Sequence, residues 1–127
     1  MSDKIRIGII GVGQIGTNHL RNYANIKEAD VVAVADLFPE KLAAAKANFG
    51  VPDGYSDFKD LLARDDIDAV DVCVHNNKHN PLTIAALQAG KDVYCEKPMA
   101  GTYRDAATMF ETAQTLGRRL DIQIGTL

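Results

Sequence analysis

The chain has no tryptophan, two cysteines, four prolines and 6% aromatic residues among its 127. Two thiols cannot staple a domain of this size. Both, Cys73 and Cys95, fall inside or at the end of apolar strand patterns. They read as small buried residues of a reducing compartment, and no disulfide is expected. Positive charge is not in excess either: 14 Lys and Arg against 17 Asp and Glu leave a net charge of −3. Nucleic acid and anionic membrane surfaces are therefore poor matches as partners. No apolar run approaches the ~20 residues that a membrane-spanning helix needs. Met1-Ser2-Asp3-Lys4 passes straight into a strand pattern with no leader ahead of it, so the cytoplasm is the expected location. What the chain does have is 46% hydrophobic residues, enough for one domain with a real core.

Strand and helix patterns alternate along it, with no linker, repeat or low-complexity segment. Strands are expected at Ile5–Ile10, Val31–Ala35, around Gly54–Tyr55, and at Ala69–Val74, Asp92–Cys95 and Leu120–Ile124. Helices are expected at about Gln14–Ile26, Glu40–Asn48, Asp57–Ala63, Leu82–Ala89 and Tyr103–Leu116. Pro39 suits a first helical turn, Ser56 and Thr102 read as N-caps, and Asn80-Pro81 reads as the opening of the fourth helix. Val31–Ala35 is almost continuously apolar, as in a strand covered on both faces. The rhythm predicts an α/β fold: a doubly wound parallel sheet of six strands in the order 3-2-1-4-5-6, with helices on both faces.

One stretch carries more than periodicity. The first strand ends in Gly11-Val12-Gly13-Gln14-Ile15-Gly16, a G-x-G-x-x-G with a helical pattern directly behind it. Twenty residues past Gly16, at the end of the second strand, stands Asp36. In a dinucleotide site the first glycine makes the tight turn and the second admits the pyrophosphate; the third lets helix and sheet pack closely. The helix start, at Gln14 and Ile15, offers unpaired N–H groups to the phosphates. The acid accepts hydrogen bonds from the adenosine ribose. Glycines alone would fit any strand–helix turn. Strand before, helix after and acid in register point to a dinucleotide, and Asp36 favours NAD over NADP through repulsion of a 2′-phosphate.

A second constellation lies in the other half. Strand Ile67–Val74 runs into His75-Asn76-Asn77-Lys78-His79, and Ala85-Ala86-Leu87-Gln88-Ala89-Gly90-Lys91 leads through a strand to Glu96-Lys97-Pro98. With the glycine fingerprint, this resembles the N-terminal lobe of the glucose–fructose oxidoreductase/inositol dehydrogenase (Gfo/Idh/MocA) family over essentially all 127 residues. The resemblance implies a Rossmann domain over residues 1–127 and NAD as cofactor. It implies a sugar, polyol or related hydroxy compound as substrate of a longer, homo-oligomeric parent. The lysine of Glu-Lys-Pro, here Lys97, would be catalytic beside the reacting hydroxyl, and Glu96 would lie near the nicotinamide ribose. Where the family has Thr-Pro-Asn, two residues and His, this chain has Val74, His75, Asn76 and His79. Asn76 and His79 match; Val74 and His75 replace the usual Thr and Pro beside the expected nicotinamide. The family's second half, which supplies a catalytic histidine and the sugar contacts, has no counterpart in these residues. A dinucleotide-binding regulatory module without catalysis is the rival reading, and a reductase of a different carbonyl or imine is a third.

Other residues read more plainly. Lys97 by pattern alone is a solvated strand-end charge, held extended by Pro98. His75 and His79 are four apart, but Pro81 is expected to start the helix after them, and no metal site is expected. His79 reads equally as a loop-packing residue. Asp71, inside a strand, is expected to make a strand-end or edge hydrogen bond, while Tyr94, Met109 and Phe110 read as packing.

Overall fold

The computed structural model describes residues 4–73, 76–96, 114–115, 117 and 120–123. Its elements are β1 (Ile5–Ile10), α1 (Gln14–Tyr23), β2 (Ala29–Ala35), α2 (Pro39–Phe49), β3 (Asp53–Tyr55), α3 (Phe58–Leu62), β4 (Ala69–Val72), α4 (Asn76–Gln88), β5 (Asp92–Glu96) and β6 (Leu120–Gln123). The strands β3-β2-β1-β4-β5 pair in parallel throughout. Leu120–Gln123 runs parallel beside β5, from Val93↔Leu120 to Glu96↔Gln123. Parallel pairing sends every strand's carboxyl end to one edge of the sheet, and the loops into α1, α2 and α4 all leave from that edge.

The two-residue period of the strands supplies a core on each side of the sheet. On one face Ile7, Ile9 and Val34 pack with Leu20 of α1 and Ala45 of α2. On the other, Ile10, Ala33, Ala35, Val70 and Val72 pack with Leu61 and Leu62 of α3 and with Leu82, Ala86 and Leu87 of α4. A sheet covered on both sides needs apolar residues at consecutive positions, which is why these strands lack hydrophobic alternation. Gly8 interrupts β1 for space: a Cβ there would stand 2.8 Å from Leu61 Cδ2 and 3.0 Å from Ile67 Cδ1.

Several boundaries differ from the sequence expectation. α1 ends at Tyr23, not Ile26, because the chain tightens into i→i+3 bonds, Asn25 N–H to the Asn22 carbonyl at 3.1 Å and Ile26 N–H to that of Tyr23 at 3.0 Å. Asp57, not Ser56, caps α3, its carboxylate accepting the Lys59 N–H at 2.9 Å. α4 begins at Asn76 and carries Pro81 inside it, so Asn80-Pro81 does not open the helix. A proline one turn into a helix withdraws one N–H, and here the carbonyl four residues back, Asn77, loses that partner. Val74, and most of the helix expected at Tyr103–Leu116, lie outside the described residues.

Arg64, just past α3, ties the β3 side together through Asp66 at 2.6 and 2.8 Å and Asp53 at 2.7 Å. At the start of β1 the Arg6 guanidinium holds the Asp68 carboxyl below the usual carboxylate range, mainly by hydrogen bonding. That contribution is present at neutral pH and is lost as the pH falls through the depressed value.

Gly8 and Leu61 compete for one volume, and this can be measured. Gly8→Ala is expected to cost about 1–3 kcal/mol by overpacking. Leu61→Ala is expected to cost about 2–5 kcal/mol by leaving a cavity. The double variant should lose less than the sum by at least about 0.5 kcal/mol, since the new methyl partly fills the space vacated. Urea denaturation of the four proteins closes the cycle, and strictly additive losses would show that the two positions share no space.

Candidate functional site

β1 leaves the sheet at Gly11, whose N–H donates to the Ala35 carbonyl at 2.8 Å and whose φ of 93° is a region side chains rarely adopt. The chain turns through Val12 to Gly13, the N-cap of α1, and the Gly13 carbonyl accepts the Thr17 N–H at 2.8 Å. Gly16 then faces back on the turn. A Cβ at Gly16 would lie 1.9 Å from the Gly11 carbonyl oxygen, so helix and strand end approach as closely as backbone allows. Gly13 is the opposite case: a Cβ there would meet only Lys41 Nζ, at 3.7 Å. Among the described residues, only the end of that flexible lysine side chain stands above Gly13. No side chain caps α1 and its first turn holds no acid, leaving the helix's N-terminal N–H groups and the positive end of its dipole available to an anion. Gln14 and Ile15 form that first turn; their side chains lie outside the description.

Asp36, directly after β2, is fixed by two backbone donors. Val12 N–H reaches one carboxylate oxygen and Phe38 N–H the other, each at 2.9 Å. Its own N–H donates to the Tyr55 carbonyl at 3.0 Å. The carboxylate is thereby clamped between the glycine turn and the start of α2, with lone pairs left over on both oxygens.

Lys41 was missed by the sequence reading. Its ammonium sits 4.7 Å from the centre of the Phe38 ring and stands over the glycine turn. The signal was available: Pro39 starts α2, and side chains of a first helical turn lean toward the helix N-terminus, which here is the ligand edge.

The other expected site residues are divided. Asn76 and His79 stand in the first turn of α4 and Glu96 ends β5, all at the same edge as the glycine turn, with side chains outside the description. The α4 start at Asn76 corrects the expectation that the histidines precede the helix, since His79 lies within it. Val74, His75 and Lys97 lie outside the described residues.

Beneath the turn lies a polar cluster that the sequence reading also missed. Asp71 is not at a strand end or sheet edge: it sits within central strand β4 and is 1% exposed. Its carboxylate accepts the Tyr23 hydroxyl at 2.7 Å, lies 2.6 Å from His19 Nδ1, and accepts the Cys73 thiol at 3.2 Å. Cys73 Sγ is also 3.3 Å from His19 Nδ1, and the His19 ring stands 5.9 Å from that of Tyr94. Burial, then the charge of Asp71, pushes the Tyr23 hydroxyl well above its ordinary value, so it stays a donor. A cavity of about 320 Å³ lined by Lys4, Tyr23 and Phe49 lies toward the opposite edge of the sheet, away from the glycine turn.

Comparison with known proteins gives a consistent result. Residues 5–124 match the family described as "Oxidoreductase family, NAD-binding Rossmann fold" (Gfo/Idh/MocA). The chain is 37% identical over 123 residues to the inositol 2-dehydrogenase of Salmonella typhimurium, covering 95% of this chain and 36% of that protein. It is 39% identical over 107 residues to the myo-inositol 2-dehydrogenase of Thermotoga maritima, covering 84% and 32%. Among solved structures, scyllo-inositol dehydrogenase from Lactobacillus casei with bound NAD(H) and scyllo-inositol superposes with a TM-score of 0.88 at 30% identity, over 94% of this chain and 36% of that one. The chain thus spans about a third of the length of the curated relatives it matches.

The two glycines of the turn should respond unequally to a methyl group. In a helix Gly→Ala ordinarily gains up to ~1 kcal/mol. Gly16→Ala should instead lose about 3 kcal/mol or more, because the obstacle is a backbone oxygen that cannot swing aside. Gly13→Ala should cost no more than about 1 kcal/mol, the ordinary loss on placing Ala at an N-cap, since its methyl meets only the flexible end of Lys41. Chemical denaturation compares them directly; a Gly16→Ala protein as stable as the parent would mean that the turn opens freely.

Proposed function

The chain belongs to the Gfo/Idh/MocA oxidoreductase family, and we propose that it is the NAD(H)-binding lobe of a dehydrogenase acting on the CH–OH group of an inositol-like polyol. The observation that carries the reading is the uncapped start of α1, with the Lys41 ammonium over Gly13 and the clamped carboxylate of Asp36 beside it. That cradle fits a dinucleotide. Backbone N–H groups from Gly13, Gln14 and Ile15 would hold the pyrophosphate, with Gly11 and Gly16 fixing the turn. Asp36 would accept the ribose hydroxyls, its two backbone donors keeping it aimed. Val74, His75, Asn76, His79 and Glu96 would border the nicotinamide half, as the family resemblance implies; Asn76 and His79 open α4 and Glu96 ends β5, which is consistent with it. We read the six-stranded doubly wound sheet, β6 included, as the framework of this lobe.

When bound, the cofactor exchanges hydride with the substrate carbon. The protein's share is position and proton handling. Lys97 would hold the substrate hydroxyl and take its proton as the C–H bond is broken, a task suited to an amine whose pKa falls on desolvation. The wall that excludes water and orients the polyol would come from outside these 127 residues, consistent with the share of the relatives that the chain spans.

NAD should bind more tightly than NADP. A 2′-phosphate would meet the Asp36 carboxylate at contact distance, a cost above about 1 kcal/mol, or roughly tenfold. Lys41 offsets this only in part, as one flexible charge without the planar fork of arginine. Calorimetric titration with NADH and NADPH should show the gap, Asp36→Ala should narrow it, and Gly13→Val should abolish both affinities. Equal affinities in the parent protein would remove the assigned role of Asp36, and undiminished binding by Gly13→Val would remove that of the turn.

Lys97 separates a dehydrogenase from a dinucleotide-binding regulator. In an active full-length protein, Lys97→Ala should lower polyol turnover by about 10²–10⁴-fold, the range for losing a positioned acid–base group. NADH affinity should stay unchanged, since the pyrophosphate and ribose contacts lie elsewhere. Full turnover by the variant would exclude a catalytic lysine.

A further inference from the structure

The buried cluster under the glycine turn is a device in its own right. An anion as buried as Asp71 must be supplied with partners, because an unpaired charge there costs several kcal/mol. Two of its three partners come from α1, and they stand four residues apart, on one face of that helix. Turning or sliding α1 by one residue would take both away together. The carboxylate therefore fixes the rotation and height of the helix whose N-terminus faces the anion site. Cys73 links the two levels. Its thiol donates to Asp71, and its Cβ lies 3.6 Å from where a Gly16 side chain would begin. His19 thus sits one side-chain layer beneath the turn.

Zinc is a poor occupant. The three ligand atoms lie within 4.8 Å of one another, but His19 Nδ1 and the Asp71 oxygen are 2.6 Å apart. Two donors at ~2.0 Å from one tetrahedral zinc would stand roughly 3.3 Å apart. The short separation is that of a charge-assisted hydrogen bond.

We propose that Asp71 is a positioning residue for cofactor binding, seating α1 through His19 and Tyr23, and that His19 couples proton uptake to that binding. The proposal rests on the dinucleotide reading of the glycine turn. Among the described residues, the groups facing His19 are Asp71 of β4, Tyr23 of α1, Cys73 after β4 and Tyr94 of β5. Tyr23 and Cys73 donate to Asp71, and of the side chains in this cluster the imidazole is the one whose ordinary titration range lies nearest neutrality. A pyrophosphate above the turn brings negative charge toward it and favours the imidazolium. Binding then takes up a proton, and affinity falls as the pH rises and the ring loses its charge.

Calorimetric titration of the chain with NADH tests this, from about pH 6 to about pH 8.5, the span over which a histidine ordinarily titrates. Buffers of different ionisation heat report the protons exchanged, and thermal melts report folding. The parent affinity should fall about threefold to tenfold across the range, as expected for one charge acting through a partly screened medium. Proton uptake should peak where the affinity falls most steeply with pH and vanish below that window, where the free ring is already charged. His19→Gln should flatten the profile and abolish the uptake. Tyr23→Phe should weaken binding at every pH but keep the profile, and Asp71→Asn should weaken binding and move the profile to lower pH. A flat profile in the parent, or a His19→Gln protein with the parent's profile and uptake, overturns the proposal while leaving cofactor binding intact. Failure of the folded parent to bind NADH at all overturns the dinucleotide reading, and this proposal with it. If Asp71→Asn does not fold, His19→Gln and Tyr23→Phe decide.

Discussion

The contact of Gly16 with the Gly11 carbonyl is the constraint on which the rest of the molecule depends. A helix axis ordinarily stands off from a neighbouring backbone by the thickness of its side chains. Here that thickness is zero, since even a methyl group would lie 1.9 Å from the oxygen. The close seat lets the Val12 N–H reach Asp36 at the end of the next strand, and it brings His19 and Tyr23 down to Asp71. It also leaves the first turn of α1 protruding at the strand ends with its N–H groups uncapped. A wider approach would loosen the carboxylate at the ligand edge and expose the one under the helix. One steric fact thus governs two electrostatic ones.

The two carboxylates illustrate how position in a parallel sheet assigns work to a residue. Asp36 and Asp71 lie on either side of β1, one just past β2 and the other within β4. Asp36 lies beyond its strand, takes two backbone N–H groups, and keeps lone pairs free toward the open side. Asp71 lies within its strand and is consumed by three side-chain donors. The first can meet a ligand; the second can only hold the protein to itself. Neither role follows from the residue type.

That distinction also explains what could be read from the sequence. Five parallel strands, their order and the glycine turn were legible because each rests on local chemistry: apolar runs, a φ that only glycine tolerates, an acid at fixed spacing. Asp71 was misread because a carboxylate inside a strand pattern carries no mark of its partners, which come from a helix 48 and 52 positions earlier. His19 and Lys41 were passed over for the same reason. The α4 start was misplaced by a rule of thumb: proline is favoured at a first helical position but is also tolerated a turn later, at the cost of one hydrogen bond. Ser56 and Asp57 are both good caps, and only the backbone path decides between neighbours. The chemistry assigned to Lys97 and the nicotinamide side came from resemblance alone, and those residues are where side-chain description stops.

The placement of positive potential is the last consequence of the fold. The chain carries a net charge of −3, which by itself would repel a dinucleotide with two phosphates. Attraction must therefore be local, and the structure concentrates it at one edge. The N-terminal N–H groups of α1 contribute the fixed dipole of a helix end, and Lys41 adds a mobile charge steadied by the Phe38 ring. Arg6 and Arg64 are spent elsewhere in ion pairs with Asp68, Asp66 and Asp53. Backbone groups cannot be screened by rotating away and are not lost on mutation of a side chain, so an acidic domain can hold an anionic ligand. Such a site depends on the seat of α1 more than on any single cation.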